Sequence, residues 1–465
     1  MAKTKTELLV IGAGPGGYAA AFYAADRGKK VVLVDKGDSL GGVCLNRGCI
    51  PSKALLHAAE VMHEANHANE MGITFSKPKL DIDKLRTWKD SVVSKLGGGI
   101  QSLAKKRNVT VIKGRALFDS NQSVRVETEK GQHHVEFEKA IIAVGSKPSL
   151  PPAFDLGNPR IMTSTGALEL PDIPKKLLVV GGGYIGLEMG TVYASLGSKV
   201  TVVELSDRLL TGADKDLVRP IQKRLKTLFE DIRLNTSVQS MKTKSKQIEV
   251  LTEHAGKRQT ELYDRVLVSV RRGANSYDMG FDNTDIKLSD KGFVEVNKHL
   301  QTNVDSIYAI GDIIGGVMLA HKASKEAKIA INHIFGETDS TEQMVIPAVV
   351  FTQPELAWCG LTEEDAKVKK INVKVAKFPW SASGRAMTVQ QTDGLTKLIV
   401  DPESERVLGM GIVGPSAGDM IAEGCLAIEM GASAYDLAET IHPHPTLAET
   451  VMESAEVFYG HCVHS

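Results

Sequence analysis

Cysteine is scarce in this chain, with five residues among 465, which excludes a small secreted scaffold held together by many disulfides. Long hydrophobic runs are missing too, since no stretch reaches the roughly 18 uninterrupted apolar residues of a membrane-spanning helix. An excess of one charge is also absent. Lysine plus arginine and aspartate plus glutamate count 56 each, so no bulk field would hold a nucleic acid. These absences predict a cytoplasmic globular protein without a nucleic-acid or membrane partner.

The size of the chain predicts several domains. Its 465 residues correspond to about three domains of roughly 150 residues each. Hydrophobic residues make up 42% of the total, which is ample for their cores. The opening stretch, "MAKTKTELLVIGAGPGGYAAAFYAADRG", weakly resembles a signal peptide, but glycines and Pro15 interrupt its apolar part. We therefore expect this stretch to be part of the fold.

Two of the five cysteines stand close together in "GGVCLNRGCIPSK", at Cys44 and Cys49. The spacing differs from the common zinc and haem patterns, in which two residues separate the cysteines. Five residues of ideal helix rise by about 7.5 Å, whereas a disulfide needs Cα atoms within about 7 Å, so a bridge requires an irregular backbone. Gly41, Gly42 and Gly48 permit one. The residues alone leave a disulfide, a metal site and two unconnected buried cysteines open.

An internal duplication is the most informative feature of the sequence. The stretch "LLVIGAGPGGYAAAFYAADRGKKVVLVDK" begins at Leu8, and "LLVVGGGYIGLEMGTVYASLGSKVTVVEL" begins at Leu177. Each predicts a strand, a G-x-G-x-x-G turn, a helix that stops at a glycine, and a second strand that ends in an acid. The matching residues are Gly12, Gly14, Gly17, Gly28 and Asp35 in the first copy and Gly181, Gly183, Gly186, Gly197 and Glu204 in the second.

These residue types suit a βαβ unit that binds a dinucleotide. The first glycine makes the tight turn, the second lets the backbone approach a pyrophosphate, and the third lets helix pack on strand. The phosphates lie at the positive N-terminus of the helix, and the terminal acid accepts hydrogen bonds from a ribose. A lone glycine pattern is weak evidence, but two complete copies predict two bound dinucleotides.

The remaining stretches predict further strands and a different last domain. "VRVETEKGQHHVEFEKAIIAVGSKP" alternates apolar and polar residues about a Lys-Gly turn, which is typical of a hairpin. "LQTNVDSIYAIGDIIGG" predicts a strand that ends at Gly311 and Asp312, followed by a helix from His321. From about Met344, strands precede helices, as in an α+β domain. The predicted fold class is α/β, with two Rossmann-like dinucleotide-binding domains and a C-terminal α+β domain.

Seven motifs now identify a resemblance that covers essentially the whole chain. In chain order, "IGAGPGGY", "GGVCLNRGCIPSKALLH", "VVGGGYIGLEMG", "IYAIGD", "MLAHKASKE", "VVFTQPELAWCG" and "IHPHPTLAET" resemble motifs of the pyridine nucleotide-disulphide oxidoreductases. Within that family the chain is most similar to members that reoxidise protein-bound dihydrolipoyl groups with NAD. The resemblance implies an FAD-binding domain over 1–147, an NAD-binding domain over 148–276, a return to the FAD-binding and central part over 277–344, and a dimerisation domain over 345–465.

The resemblance implies cofactors and partners as well. FAD and NAD are expected, and no metal. The partners are a second copy of the chain and a lipoyl-bearing protein. That protein is either the acyltransferase core of a 2-oxoacid dehydrogenase complex or the lipoyl carrier of the glycine cleavage system.

By resemblance, the first fingerprint holds FAD, with Asp35 where relatives more often have glutamate. Asp312 resembles the acid that binds the ribityl chain, and Ala116 stands where relatives often have a glycine against the adenosine. Lys53 resembles the lysine near the flavin N5, with Glu188 as its ion-pair partner, although both also suit solvated helix charges. The cofactor-binding positions expected in addition to the two fingerprints are Gly145, Ser146, Val238, Arg271 and Ala320.

The resemblance also answers the question of the cysteine pair. It implies that Cys44 and Cys49 form a redox-active disulfide beside the flavin, with Cys44 exchanging with substrate and Cys49 as the thiolate that contacts the flavin. Arg47 stands where many relatives carry valine, and it either lowers a thiolate pKa or points to solvent. The other cysteines, Cys359, Cys425 and Cys462, are expected to be unpaired.

A second catalytic pair is predicted in "IHPHPTLAET". Pro443 and Pro445 prevent a regular helix through the histidines and place His444 just before the final helix. His444 and Glu449 resemble the acid–base pair of the family, in which the carboxylate fixes the imidazole tautomer. His442 is interpreted as a bystander. The resemblance further implies that His444 serves the disulfide of the partner subunit.

Two questions of specificity follow. Glu204 favours NAD over NADP, because a 2′-phosphate would meet like charge. In "RRGAN", Arg271 replaces a glycine and Ala274 a proline, which either perturbs the NAD site or leaves Gly273 to make the turn. Relatives that reduce glutathione or mercury, and a non-catalytic scaffold, are the rival hypotheses. The single C-terminal Cys462 and the retained cysteine and histidine pairs argue against them.

Overall fold

A computed structural model describes residues 2–342 and 344–464. The first part of the chain folds into seven strands and four helices. The strands are β1 (Ala2–Ile11), β2 (Val31–Asp35), β3 (Thr110–Lys113), β4 (Arg115–Ser120), β5 (Ser123–Thr128), β6 (Gly131–Ile142) and β7 (Ser146–Pro148), and the helices are α1 (Pro15–Asp26), α2 (Gly42–Arg47), α3 (Cys49–His67) and α4 (Ile82–Lys106).

The second part begins with a two-residue strand and contains the second copy of the duplication. The strands are β8 (Ile161–Met162), β9 (Lys176–Val180), β10 (Lys199–Val203), β11 (Asp231–Arg233), β12 (Thr236–Lys244), β13 (Gln247–His254), β14 (Lys257–Tyr263), β15 (Arg265–Val268) and β16 (Arg272–Ala274), and the helices are α5 (Ser164–Leu168), α6 (Tyr184–Ser195) and α7 (Lys215–Leu228).

The last part returns to the first sheet and then forms a separate one. Its strands are β17 (Ile307–Ala309), β18 (Ala348–Val350), β19 (Glu355–Gly360), β20 (Lys374–Pro379), β21 (Leu395–Val400) and β22 (Val407–Gly414), and its helices are α8 (Ala320–Ile334), α9 (Glu363–Lys369), α10 (Gly384–Thr388), α11 (Ala417–Met430), α12 (Ala434–Glu439) and α13 (Glu449–Tyr459). Short 3-10 turns occur at Ala68–Met71, Pro152–Phe154, Phe281–Asn283, Gly311–Ile314 and Trp380–Ala382.

The strands of the two fingerprint units pair in parallel, as their sequence patterns predict. The first sheet has the order β3-β2-β1-β6-β5-β4, with β17 also paired to β6, and the second has the order β11-β10-β9-β15-β8. The segments 8–11 of β1 and 177–180 of β9 are apolar and buried, as expected for strands covered on both faces. The predicted hairpin is confirmed: β5 and β6 pair antiparallel, with Thr128 opposite Gly131.

The C-terminal sheet is antiparallel, with the order β18-β19-β22-β21-β20. Helices α11 and α13 pack on it, and Trp380 is fully buried in its core. The α/β fold with a C-terminal α+β part is thereby confirmed. The predicted helix at His321 begins one residue earlier, at Ala320.

One short ladder connects the first two parts. Strand β7 pairs antiparallel with β16, with Lys147 opposite Gly273. The pair lies beside the predicted boundaries at 147 and 276, where the chain leaves and re-enters the first sheet region. In the described part of the chain, no helix combines the length and the apolar character needed to cross a membrane.

Candidate active site

Different physical constraints explain why each position of the first fingerprint is a glycine. Gly12 has φ +100°, and a Cβ there would lie 2.4 Å from the Ala143 carbonyl oxygen. A Cβ at Gly17 would lie 1.7 Å from the Gly12 carbonyl oxygen, so helix and turn pack too closely for a side chain. A Cβ at Gly14, by contrast, would meet no protein atom within 4 Å. Packing therefore explains two of these glycines, and the space before Gly14 suits a ligand.

The second fingerprint repeats this pattern. A Cβ at Gly181 would lie 2.8 Å from the Ser269 carbonyl oxygen, and one at Gly186 would lie 2.3 Å from the Gly181 carbonyl oxygen. A Cβ at Gly183 would again meet nothing within 4 Å. Both turns thus leave the same open position at the N-terminus of a helix, where backbone N–H groups and the helix dipole favour phosphate.

The acid that ends each unit is tied to its own turn. Asp35 accepts hydrogen bonds from the backbone N–H groups of Ala13 (2.6 Å) and Gly37 (2.7 Å). Glu204 makes the matching pair of bonds, with Gly182 (2.6 Å) and Ser206 (2.8 Å). A carboxylate has about four acceptor positions. Each acid is therefore held in place and still has capacity for ribose hydroxyls.

A cavity of about 790 Å³ runs from the first fingerprint to the cysteine segment. Its volume lies within the roughly 300–1,000 Å³ of ligand sites in proteins. The lining includes Gly14, Asp35, Cys44, Cys49 and Asp312. A phosphate-binding turn at one end and a thiol pair at the other suit an extended dinucleotide with a redox-active ring, so the residues present fit FAD.

The cysteine segment has the irregular backbone that a bridge would require and that its glycines permit. Helix α2 ends at Arg47, Gly48 breaks the helix with φ −148° and ψ −110°, and α3 begins at Cys49. The thiols of Cys44 and Cys49 lie close enough to change each other's pKa, and no disulfide joins them in the structure. Both line the cavity and neither is fully buried, which disfavours the interpretation as unconnected buried cysteines.

The interaction between the two thiols shifts their pKa values in opposite directions. The hydrogen bond with Cys44, opposed by burial and assisted by the Lys53 ammonium, lowers the pKa of Cys49 to about 7. The same contact, together with burial, raises the pKa of Cys44. The cation that acts on Cys49 is Lys53, whereas Arg47 is exposed. Arg47 also lines the cavity, so both hypotheses for Arg47 stay open.

Lys53 belongs to a buried ion pair that reaches three parts of the chain. Its Nζ lies 2.9 Å from Glu188 Oε2, and the Glu188 side chain is 4% exposed. The other carboxylate oxygen of Glu188 accepts a hydrogen bond from the backbone N–H of Phe351 at 3.1 Å. The Phe351 ring lies 4.2 Å from the ammonium. The interpretation of Lys53 and Glu188 as solvated helix charges is wrong.

Asp312 also lines the cavity, in a small polar cluster. The Ser146 hydroxyl donates to Asp312 Oδ2, and Arg272 Nε donates to the Ser146 hydroxyl at 2.7 Å. Arg272 Nε lies 3.8 Å from Asp312 Oδ2. The neighbouring Gly311 N–H donates to buried Glu326 at 2.7 Å. This wall is therefore fixed by side chains that are distant in sequence.

The histidine–glutamate pair is formed but lies outside the cavity. His444 Nδ1 is 2.8 Å from Glu449 Oε1, and the Thr446 N–H donates to the other oxygen at 2.7 Å. Although burial opposes the shift, these two contacts lower the pKa of Glu449. The His444 side chain is 79% exposed, and His442 is instead buried against Glu423 at 2.8 Å.

Comparison with known proteins identifies the family. The model of the pyridine nucleotide-disulphide oxidoreductases matches residues 6–327, and that of their dimerisation domain matches residues 346–455. The chain is 48% identical over 457 residues to a dihydrolipoyl dehydrogenase of Vibrio cholerae, covering 98% of this chain and 96% of that protein. The chain belongs to the pyridine nucleotide-disulphide oxidoreductase family.

Other relatives agree with this assignment. A dihydrolipoyl dehydrogenase of Geobacillus stearothermophilus is 46% identical over 460 residues, covering 99% of this chain and 97% of that protein. Among solved structures, the HOCl-induced flavoprotein disulfide reductase RclA of Escherichia coli is similar with a TM-score of 0.86 at 29% identity, covering 98% of this chain and 99% of that chain. The oxidoreductase fold thus extends over nearly the whole chain.

Not every residue predicted to bind a cofactor in this oxidoreductase lines the cavity. Those that do are Gly12, Gly14, Asp35, Lys53, Gly145, Ser146, Glu188, Asp312 and Ala320. Ala116 is buried in the core of the first sheet, and Val238 packs half-buried against the second. Arg271 is exposed, and its neighbour Arg272 faces the cavity instead. The roles of Ala116, Val238 and Arg271 stay predictions.

Sequence reasoning missed Phe351 and Arg272 at this oxidoreductase site. Phe351 stands in the quoted motif "VVFTQPELAWCG", but nothing local indicates that its N–H reaches Glu188, 163 positions earlier. Arg272 has a stronger signal, because it follows Arg271 in "RRGAN" at the position where the family pattern also has arginine. The cluster with Ser146 depends on the β7–β16 pairing, which has no local pattern.

Proposed function

We propose that this chain oxidises protein-bound dihydrolipoyl groups with NAD, using FAD and a redox-active pair formed by Cys44 and Cys49. The observation that carries the proposal is the pair of thiols in the cavity wall, beside the ion pair of Lys53 and the buried Glu188. Full-length similarity to two dihydrolipoyl dehydrogenases supports the choice of substrate.

The cysteines perform the exchange with substrate. In the oxidised protein, Cys44 and Cys49 share a disulfide, and a substrate thiolate attacks the Cys44 sulfur. The bond to Cys49 breaks, and Cys49 leaves as a thiolate. The second substrate thiolate then attacks the mixed disulfide, which releases the lipoyl disulfide and the Cys44 thiol. Two electrons and two protons leave the substrate in this sequence.

The low pKa of Cys49 suits its position as leaving group, because a more acidic thiol departs faster. Lys53 supports that charge, and Glu188 holds Lys53 in place. The first fingerprint turn would hold FAD, which would supply the transfer of the electron pair from the dithiol to NAD as hydride. Lys53 and Glu188 thus stabilise the reduced state of the cysteine pair.

His444 takes the proton that the substrate thiol must lose. Glu449 accepts from Nδ1 and so leaves Nε2 as the nitrogen that exchanges the proton. Because His444 is exposed and lies outside the cavity lining of its own chain, we assign it to the disulfide of a partner subunit. The chain carries the family's dimerisation domain.

The lipoyl group is proposed to belong to the acyltransferase core of a 2-oxoacid dehydrogenase complex or to a lipoyl carrier protein. A cytoplasmic location stays a prediction that accompanies this assignment. Reduction of glutathione disulfide or mercury is the rival within the family, and the Glu204 carboxylate disfavours the NADP that such relatives use.

The proposed function is tested by comparing two substrates. Purified FAD-loaded protein should reduce NAD with dihydrolipoamide and show negligible oxidation of NADH or NADPH with glutathione disulfide. A Cys44→Ser variant should lose dihydrolipoamide turnover but still pass electrons from NADH to a dye, since the flavin and hydride sites persist. Undiminished dihydrolipoamide turnover in this variant, or faster turnover of glutathione disulfide, would overturn the proposal.

A further inference from the structure

The residues after the final helix fold back onto it and contact a buried carboxylate. Glu453, in the middle of α13, is 6% exposed. Its Oε2 accepts a hydrogen bond from the Cys462 thiol at 2.7 Å, and His464 Nδ1 lies 2.6 Å from its Oε1. A buried carboxylate needs such partners, because an unpaired charge away from water is costly. Here both partners are side chains that also ligate metals.

A fourth ligand-type residue completes the group. Glu456 lies three positions after Glu453, so both project from the same face of α13. The donor atoms of Glu453, Glu456 and Cys462 all lie within 4.8 Å of one another. In the described ranges, 2–342 and 344–464, no lysine or arginine pairs with either glutamate.

A second acidic cluster differs in that lysines already pair with its carboxylates. Asp214, Asp216 and Glu363 are equally close together, but the Lys397 ammonium lies 2.6–3.0 Å from all three, and Lys377 contacts two of them. That cluster already contains its cations. The cluster at the end of α13 combines two carboxylates with a thiol and an imidazole, and among the described residues no lysine or arginine pairs with its carboxylates.

We propose that Glu453, Glu456, Cys462 and His464 bind one divalent transition-metal ion of the zinc type. Zinc prefers four ligands drawn from thiolate, imidazole and carboxylate, at about 2.0–2.3 Å. The thiolate and imidazole favour a borderline-soft ion over magnesium or calcium, which take oxygen ligands. Two ligands come from a helix and two from the tail that covers it, so the ion would clip the tail to α13.

The exchange of protons for the ion conserves charge. Without metal, two carboxylates, a neutral thiol and an imidazolium sum to −1. With metal, two carboxylates, a thiolate, a neutral imidazole and a dication also sum to −1, and two protons are released.

The test uses FAD-loaded, full-length protein in its oxidised state. The Cys44–Cys49 disulfide then keeps the catalytic thiols from binding metal. The probes are Zn²⁺, measured by competition with a chromophoric chelator, and Co²⁺, whose tetrahedral visible bands lie at longer wavelength than those of oxidised flavin. Cys462→Ala, Glu453→Gln and His464→Ala remove ligands, and Cys425→Ala is the matched control, because Cys425 lies outside the cluster.

We expect one ion per chain with a tetrahedral Co²⁺ spectrum that includes thiolate ligation. Cys462→Ala and His464→Ala should weaken binding by at least about 100-fold, beyond the 10–100-fold cost of losing an outer partner. Cys425→Ala should bind as the unaltered protein does. Because His464 is largely exposed, its substitution does not threaten folding, whereas Glu453→Gln is accompanied by a circular dichroism check.

Three results would overturn the proposal. They are the absence of micromolar binding, binding that survives both Cys462→Ala and His464→Ala, and an octahedral Co²⁺ spectrum without thiolate bands. In each case the cluster is a hydrogen-bonded anchor for the tail and no more. Dihydrolipoamide turnover is not a readout here, so failure of this proposal and failure of the proposed activity are separable.

Discussion

Cys49 and Lys53 stand four positions apart in α3, so one helical turn brings an ammonium towards a thiol. Lys53 lowers the pKa of Cys49, which is about 7. In protein reduced with a dithiol, the rate at which iodoacetamide alkylates Cys49 should therefore rise with pH through a midpoint near 7. Lys53→Met should move that midpoint to higher pH, because removing the cation disfavours the thiolate.

Arg47 supplies the matched control for this measurement. It carries the same charge in the same segment, but its side chain is exposed. Arg47→Ala should leave the midpoint of Cys49 alkylation unchanged, as read by mass spectrometry of the Cys49 peptide. A shift as large as that of Lys53→Met would show that Arg47 acts on the thiolate after all.

A single residue, Glu204, is also expected to determine the preference between the two nicotinamide nucleotides. Two backbone N–H groups fix the Glu204 carboxylate beside the second fingerprint turn, so it cannot easily move away from a 2′-phosphate. We expect kcat/KM for NADH to exceed that for NADPH by at least about 100-fold, as two close like charges cost several kcal/mol. Equal values for the two nucleotides would contradict this role.

The same assay tests the unusual arginine of "RRGAN". Because Arg271 is exposed and Arg272 makes the inward contacts with Ser146, Arg271→Gly should change the KM for NAD by less than about 2-fold, in keeping with surface substitutions. Arg272→Met, which removes those contacts, should loosen FAD instead. Flavin release on gel filtration measures that second effect.

At the scale of elements, one carboxylate connects three of them. Glu188 on α6 pairs with Lys53 on α3 and accepts from the N–H of Phe351, just after β18. Glu188→Ala should lower the free energy of unfolding by about 2 kcal/mol, less than the 3–5 kcal/mol for a fully buried pair, because Lys53 is a third exposed. Denaturant unfolding of FAD-loaded protein measures the loss.

The surface pair of Lys199 and Glu230 is the control for that experiment. Its side chains are 63% and 53% exposed, and exposed pairs contribute about 0–1 kcal/mol. Lys199→Ala should therefore shift unfolding little. If Glu188→Ala has an effect no larger than this, the buried carboxylate does not connect the three elements energetically.

The elements also show what the sequence could predict. The two fingerprint units were predictable because strand, turn, helix and acid repeat a local pattern that packing then fulfils, as the Gly12 and Gly181 contacts show. The break at Gly48 was predictable from glycines and spacing. The contacts of Phe351 and Arg272 were not, since they arise where separate sheets meet. The residue pattern around Phe351 or Arg272 does not indicate which distant residue each one contacts.

At the scale of the whole molecule, the question is where the base acts. The cysteines line the cavity, whereas His444 is 79% exposed and does not. His444 therefore does not face the cysteines across the cavity of its own chain. A dimer resolves this if the His444 of one chain meets the cysteines of the other, and loss of such a base should cost roughly 10² to 10⁴ in rate.

Mixed dimers of two damaged chains test this arrangement. Cys44→Ser and His444→Gln homodimers should each be nearly inactive with dihydrolipoamide. When the two chains are refolded together, a shared site gives each mixed dimer one doubly damaged site and one intact site, so activity should return to about a quarter of the unaltered level for random pairing, in which about half the dimers are mixed. If His444 acts within its own chain, every site in every dimer stays damaged and no activity returns. The recovered activity should also follow the product of the mole fractions of the two chains, with a maximum at equal amounts, because only mixed dimers contribute.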